Sequence, residues 1–402
     1  MVKKFTGNFT QQESLPPEAL KRAADVLSGG RIHRYGTSAD ETSQAAELES
    51  AYALWQGSKY CLAVASGGQA IQMALRAVGA KTGSRVLTNA FTLAPVPGAI
   101  AAVGAEGVLV ETDENLTIDL NHLDTQANSA QASVLLLSHM RGHIADMDAV
   151  MEICNRHSIA VVEDCAHTMG STYRGVRSGN HGSVACFSSQ TYKHINSGEG
   201  GLLTTDDPEI AARATMMSGS YMNFERHGAG PDTDVFEDIK YEWPNMSARM
   251  DNLRAALLIP QLEDLDRNVE RWNARHEILR EALSVVPGVA LPRAAEGAIR
   301  VGSSFQFRVP GASAAVCEQI IAAALEFGVE LKWFGAAVPK GFTSNHNSWR
   351  YMNAQKLPET DRILSTLFDM RVPLTFSEED CAHIAKILAL VLTDAEKAFA
   401  AE

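Results

Sequence analysis

Ile159-Ala160-Val161-Val162-Glu163-Asp164-Cys165-Ala166-His167 runs from four apolar residues straight into two carboxylates. A continuous apolar run of that length reads as a strand buried on both faces, here ending in acid. A second run, Phe187-Ser188-Ser189-Gln190-Thr191-Tyr192-Lys193, leaves another apolar strand and closes on an amine. The small, flexible stretch Ser197-Gly198-Glu199-Gly200-Gly201 follows it. Each piece also has an ordinary reading. Asp164 can cap the turn after its strand, Lys193 can be a solvated loop residue, and a lone histidine such as His167 is commonly a satisfied core or surface group. Together they place an amine, a carboxylate and an imidazole near two strand ends.

Outward from these runs, strands and helices alternate. Arg85–Thr88, Gly107–Val110, Ser133–Leu137, Ile159–Glu163, Ser183–Phe187 and Gly201–Thr204 read as short strands, most of them near-continuous apolar runs. Gly68–Val78, Ala145–Arg156 and Pro208–Met217 read as the helices between them. The alternation predicts an α/β fold with a mostly parallel sheet sandwiched by helices. Upstream lies a Gly/Ser-spotted arm with a short helix near Pro17–Leu27, then a helix at Ser43–Trp55. From Ser247 to about Val285 the pattern reads as one long or kinked helix, ended by Pro287 and Pro292. A strand at Ser304–Val309, helices near Ser313–Phe327 and Glu359–Phe368, and a last amphipathic helix at Ser377–Phe399 complete the chain. Two domains are expected, a large one over 1–270 with the arm and a smaller C-terminal α/β one over 271–402.

The formal net charge of −13 argues against a nucleic-acid partner, which needs a basic footprint. No apolar run reaches the ~18–20 residues a helix needs to cross a bilayer. Met1 to Thr6 holds two lysines with no apolar run behind them, so no signal peptide is expected. The six cysteines are scattered without metal spacing, which points to buried free thiols and a reducing cytoplasm. No G-x-G-x-x-G follows a strand, which counts against a nicotinamide-dependent oxidoreductase.

Val64-Ala65-Ser66-Gly67-Gly68-Gln69 leaves a strand and opens a helix. Glycines let the backbone approach an anion, and a helix N-terminus presents free N–H groups, so Ser66, Gly67 and Gly68 are candidates for a phosphate, with Ser188 reaching it from its strand end. An amine beside a carboxylate, with a phosphate cradle, suits pyridoxal 5'-phosphate: Lys193 forms the Schiff base and Asp164 pairs with the pyridinium nitrogen.

These runs, together with Ser138-His139-Met140-Arg141-Gly142-His143-Ile144-Ala145-Asp146-Met147-Asp148 and Arg249-Met250-Asp251-Asn252-Leu253-Arg254-Ala255-Ala256, resemble the DegT/StrS family of pyridoxal-phosphate-dependent sugar aminotransferases from roughly residue 28 to 270. The resemblance implies a three-layer fold-type-I large domain. It implies a homodimer with shared active sites, in which Lys193 is the acid/base of proton transfer, Asp164 the partner of the ring nitrogen and His167 a neighbour of the ring oxygen. Relatives that dehydrate instead of transferring an amine carry His at the lysine position, so Lys193 favours transamination. The implied reaction moves an amino group from an amino acid, glutamate or glutamine, to a ketone or aldehyde on a nucleotide sugar or cyclitol. The alternatives are a dehydratase or eliminase, and an aminotransferase acting on another small molecule.

The sequence departs from the family pattern at several points. Gly68 replaces a Thr at the phosphate turn, and Leu93 replaces the aromatic that stacks on the ring. The asparagine that reaches the neighbouring subunit's phosphate falls on Ser247, with Asn245 two residues before it. Arg141 stands where the family has Tyr. In place of the usual substrate segment stands Leu331 to Lys340 and then His346 to Arg350, where Trp333 and Phe334 become candidate substrate contacts. Arg34 and Tyr35 sit where the family's arm approaches the substrate.

Overall fold

The computed structural model describes residues 2–38, 40–339 and 344–399; Lys340 lies outside them. The helices are α1 (Pro17–Gly29), α2 (Gln44–Gln56), α3 (Gly67–Ala77), α4 (Pro95–Ala102), α5 (Leu120–Ser129), α6 (Met147–Arg156), α7 (Pro208–Ser218), α8 (Asn252–Glu263), α9 (Leu265–Ser284), α10 (Ala314–Glu326), α11 (Pro358–Leu364) and α12 (Glu378–Phe399). The main sheet holds β1 (Tyr60–Val64), β2 (Arg85–Asn89), β3 (Glu106–Val110), β4 (Val134–Ser138), β5 (Ala160–Asp164), β8 (Val184–Ser188) and β9 (Gly201–Thr205). The hairpin β6 (Thr172–Tyr173) and β7 (Val176–Arg177) pairs with β10 (Ala298–Ile299). A third sheet joins β11 (Ser304–Arg308), β12 (Lys332–Trp333) and β13 (Leu367–Arg371).

The seven-stranded sheet has the order β1-β9-β8-β5-β4-β2-β3. The pairs β3/β2, β2/β4, β4/β5 and β5/β8 are parallel, while β9 runs antiparallel to β8 and β1. Side chains alternate between faces along a strand, and the core follows that period. Leu62, Val64, Val134, Leu136, Val162, Val184 and Leu203 pack with α3, α4 and α7 on one face. Cys61, Ala63, Ala185 and Leu202 meet α2 and α8 on the other, where Leu135, Leu137 and Val161 meet α5 and α6. The result is the expected α/β fold of three layers.

A separate core surrounds the third sheet. Phe305, Phe307, Phe368 and Met370 pack with residues of α9, α10 and α12. Phe5 and Phe9 of the N-terminal arm belong to it, their rings 5.0 Å and 4.9 Å from that of Phe376.

Two elements differ from expectation, and a third was not placed. The helix expected at Glu359–Phe368 stops at Leu364, and Phe368 lies in β13. That strand is central between β11 and β12, so its side chains are buried on both faces and mimic an apolar helix. The long helix is two: Asp264 (φ −90°, ψ −6°) separates α8 from α9. Finally, α4 was not placed from the sequence, and it begins with Pro95 and Pro97. Both prolines sit in its first turn, where the missing N–H has no helical partner to lose.

The arm is anchored by a buried ion pair. Arg34 Nη1 and Nη2 donate to the two Glu49 oxygens on α2 at 2.9 Å each, and both side chains are fully buried. Ala63 N and Gly228 N also donate to Glu49. Burial alone would raise the Glu49 carboxyl, but Arg34 and His227 hold it at about 2, below its ordinary 4.5. A depressed carboxyl stabilises the fold above its unfolded pKa, and that stability is lost as pH falls from about 4.5 towards 2. Glu49→Gln leaves the Arg34 guanidinium buried without a countercharge. Chemical unfolding of this variant at neutral pH is expected to show a loss of about 3–5 kcal/mol.

Candidate active site

The parallel strands β4, β5 and β8 end side by side, so Ser138, Asp164 and Ser188 stand along one edge of the sheet. The antiparallel β9 begins at that edge with Gly201, opposite Val64 at the end of β1. A cavity of about 1030 Å³ opens there. Ligands of open α/β sheets bind outside the carboxyl ends of the strands, and this cavity has that position.

The cradle at α3 depends on missing side chains. A Cβ on Gly67 would lie 2.9 Å from Ser188 Cβ and 3.2 Å from Phe187 O. A Cβ on Gly201 would lie 2.5 Å from Gly67 N. Three backbones therefore meet where only glycine fits. Ser66 caps the helix, its Oγ accepting from Gln69 N at 3.2 Å, while Ala70 N donates to Ser66 O. The Gly67 and Gly68 amides precede those bonds in the first turn, and both residues line the cavity. A Cβ on Gly68 would meet nothing nearer than Ser66 Oγ at 3.9 Å, so that side is open.

Asp164 faces the cavity, its Oδ2 accepting from Ser138 Oγ at 2.8 Å and its Oδ1 from Ala166 N at 3.2 Å. Thr92 Oγ1 extends the chain by donating to Ser138 Oγ at 2.7 Å. Lys193 Nζ lies 2.9 Å from His167 Nε2. Burial is the largest influence on both. It lowers Lys193 from 10.5 to about 8, with Asp164 opposing and Arg141 and Arg371 assisting. It also lowers His167 well below 6.5, aided by the Lys193 charge. At neutral pH, then, the ammonium donates to a neutral imidazole. Burial and Lys193 lower His194, beside it, to about 3.

Ser66, Gly67, Gly68, Leu93, Asp164, His167, Ser188 and Lys193 all line the one cavity. The other candidates do not. Asn245 and Ser247 are exposed, bonded to each other through Asn245 Oδ1 and Ser247 N at 2.8 Å, and lie off the cavity wall. Arg34 is held by Glu49 in the core, and Tyr35 Oη pairs with His227 at 2.8 Å. Trp333 Nε1 donates to Ser365 O at 2.7 Å. Phe334 is buried against Phe91 with ring centroids 5.2 Å apart.

The structure adds residues that the sequence reading left out. Ser138, Arg141 and Tyr192 line the cavity from segments already singled out, and His194 from just beyond one of them. Gln12 to Pro17 form the part of the arm that reaches it, ahead of Arg34. Arg371 lines it from β13, a strand that the sequence reading did not place.

The family model of DegT/DnrJ/EryC1/StrS aminotransferases matches residues 15–389. The chain belongs to this family. Among curated DegT/StrS relatives, GDP-perosamine synthase of Caulobacter vibrioides is 33% identical over 56% of this chain and 57% of its own length. The L-glutamine:scyllo-inosose aminotransferase of Streptomyces griseus is 30% identical over 73% of this chain and 69% of its own. The crystal structure of S. venezuelae DesV in complex with a ketimine intermediate superposes with a TM-score of 0.77 at 27% identity, covering 96% of this chain and 95% of that one.

The two glycines of the cradle should behave differently when substituted. Gly67→Ala forces strand-end atoms apart and is expected to cost about 1–3 kcal/mol of stability in chemical unfolding. Gly68→Ala is expected to unfold within about 0.5 kcal/mol of the wild type, because its methyl enters open space.

Proposed function

We propose that the protein is a pyridoxal 5'-phosphate-dependent aminotransferase. It takes an amino group from an amino acid, glutamine or glutamate, and gives it to a ketone or aldehyde on a sugar- or cyclitol-like acceptor. The observation that carries this reading is the convergence of Lys193, His167, Asp164 and the α3 glycines on one cavity.

The residues fit the cofactor. Gly67 and Gly68 offer amides and an open approach at the positive end of α3, with Ser188 alongside, which suits a phosphate. Asp164, bonded to one hydroxyl and one amide, suits a protonated ring nitrogen. Leu93 supplies apolar packing, and His167 a neutral imidazole for the ring oxygen. Bound there, the cofactor supplies an electron sink for the carbanion at the donor's α-carbon.

Lys193 moves the proton. With a pKa of about 8, a useful fraction is neutral at physiological pH and accepts a proton, then returns it as the ammonium. His167 stays neutral, so it orients the amine without competing for the proton. Thr92 and Ser138 hold the Asp164 carboxylate in place. Gln12 to Pro17 wall one side of the cavity.

The acceptor class is supported by the relatives, whose names include a scyllo-inosose aminotransferase and a dTDP-amino-sugar transaminase. The working unit in this reading is a cytoplasmic homodimer, whose second copy brings its exposed Asn245 and Ser247 towards this cavity. The chain divides near residue 270 into the large and small domains.

The cofactor-free protein should take up pyridoxal phosphate covalently, in a form trapped by borohydride on Lys193. Because the neutral amine attacks, the uptake rate should rise with pH and level off above about 8 rather than near 10.5. Lys193→Ala should abolish trapping. A protein that stays colourless with added cofactor refutes the reading. Asp164→Asn is expected to retain bound cofactor while losing most amino-transfer activity, measured in a coupled transamination assay.

A further inference from the structure

Arg141 sits in the turn between β4 and α6 with a left-handed backbone, at φ 57° and ψ 22°. That conformation disfavours any residue with a Cβ, so the surroundings must hold it there. A closed ring of bonds does so. Arg141 Nη2 lies 2.6 Å from Asp369 Oδ2 on β13, and both side chains are buried. Gln306 of β11 donates from Nε2 to Asp369 Oδ1 at 2.8 Å. Arg300 Nη2 donates to Gln306 Oε1 at 3.1 Å and to Arg141 O at 3.0 Å, which closes the ring. The turn also rests on the site itself. A Cβ on Gly142 would lie 3.4 Å from His167 O, and Arg141 lines the same cavity as Lys193.

We propose that Arg141 and Asp369 form a charge-setting pair for the Lys193 amine. Arg141 acts on the amine from the cavity wall, and Asp369, brought by the third sheet, sets how much of that charge the amine meets. This assignment rests on the reading of Lys193 as the group that moves the proton. Arg141 is a positioning residue in it, since it acts through Lys193. The charge is also one of this chain's departures from the family pattern, which has Tyr at that position.

The groups facing the amine come from four segments. Burial is the largest influence on Lys193; Asp164 at the end of β5 then favours its proton, while Arg141 after β4 and Arg371 on β13 oppose it. His167 after β5 and His194 beside the lysine are neutral, burial being the main cause for both. A carboxylate 2.6 Å from a guanidinium cancels much of its field at a distance, so the pair is nearly silent when whole and strongly charged when halved. The opposed signs are visible at Lys332 on β12. Burial is the main cause of its fall to about 7, Arg141 lowers it further and Asp369 resists.

Acetylation by acetic anhydride reads the amine directly. Labelling of Lys193 in the cofactor-free protein, followed against pH by mass spectrometry, gives a midpoint expected at about 8 in the wild type. In Arg141→Gln the lost cation leaves Asp369 unmatched, and the midpoint should rise by about 0.5–1 pH unit. In Asp369→Asn the exposed charge of Arg141 should lower it by a similar amount. Arg141→Lys, which keeps the charge, should stay nearer the wild type than Arg141→Gln. The double variant Arg141→Gln/Asp369→Asn should return to within about 0.3 unit of the wild type. Shifts of the same sign in the two single variants, or none in either, overturn the assignment, because a loss of packing does not change sign with the charge removed. A double variant displaced as far as either single one also overturns it. If a single variant does not fold, Arg141→Tyr decides: a raised midpoint supports the assignment, and an unchanged or lowered one overturns it. Failure of the functional reading is a separate result, since acetylation needs neither cofactor nor substrate: the wild-type protein then takes up no pyridoxal phosphate, while the midpoints still move.

Discussion

Two adjacent carboxylates at the end of β5 must face opposite ways, and the site is organised around that constraint. Consecutive residues of a strand alternate faces. Glu163 turns into the protein, where it accepts from His139 Nε2 at 3.0 Å and from the amides of Gly179, His181 and Gly182 at 2.7–3.0 Å. Burial alone would raise this carboxyl, but those partners hold it below the usual range. Its bonds tie the start of β8 and the end of β4 to β5, which aligns Ser188 and Ser138 on one edge. Asp164 is then free to face the cavity with only Ser138 Oγ and Ala166 N upon it. One carboxylate is used to build the edge, and the other is displayed by it.

Charge in the cavity follows the same division. The chain is acidic overall, at −13, yet Lys193, Arg141, Arg267 and Arg371 all line one cavity. Asp369 sits on β13 two residues before Arg371, so on a strand both side chains lie on one face. That spacing lets β13 deliver a carboxylate to Arg141 and a guanidinium to the cavity at once. Crowded cations also explain why the nearby Lys332 is held at about 7, with burial the larger cause and Arg141 the next. Burial, assisted by Arg141 and Arg371 and opposed by Asp164, keeps Lys193 close to the pH at which it can both take and give a proton.

Much of the fold was legible because its signals are local. Strands buried on both faces appear as apolar runs, and β4, β5 and β8 were placed to within a residue or two. The same rule misled at β13, where a central strand of a small sheet carries a helix-like density of apolar residues. Asp264 separates α8 from α9 with no Gly or Pro at that residue, so the reading of one long or kinked helix did not place the break.

The site divides along the same line. Residues that line the cavity from a strand–turn–helix unit, such as Ser66 to Gly68, or from near one strand end, such as Asp164 and Lys193, were legible from their own neighbours. Arginines were not, because an arginine's role depends on which carboxylate lies across from it. Arg34 was a site candidate by position, but Glu49 stands opposite and Arg34 becomes part of the core. Arg141 appeared only as a departure from the family's pattern, and Asp369 makes it a buried pair at the cavity wall. Arg371 carried no local signal at all, yet it lines the cavity against the Tyr192 ring. For this residue type, pairing across distant segments decides function, and that information exists only once the chain has folded.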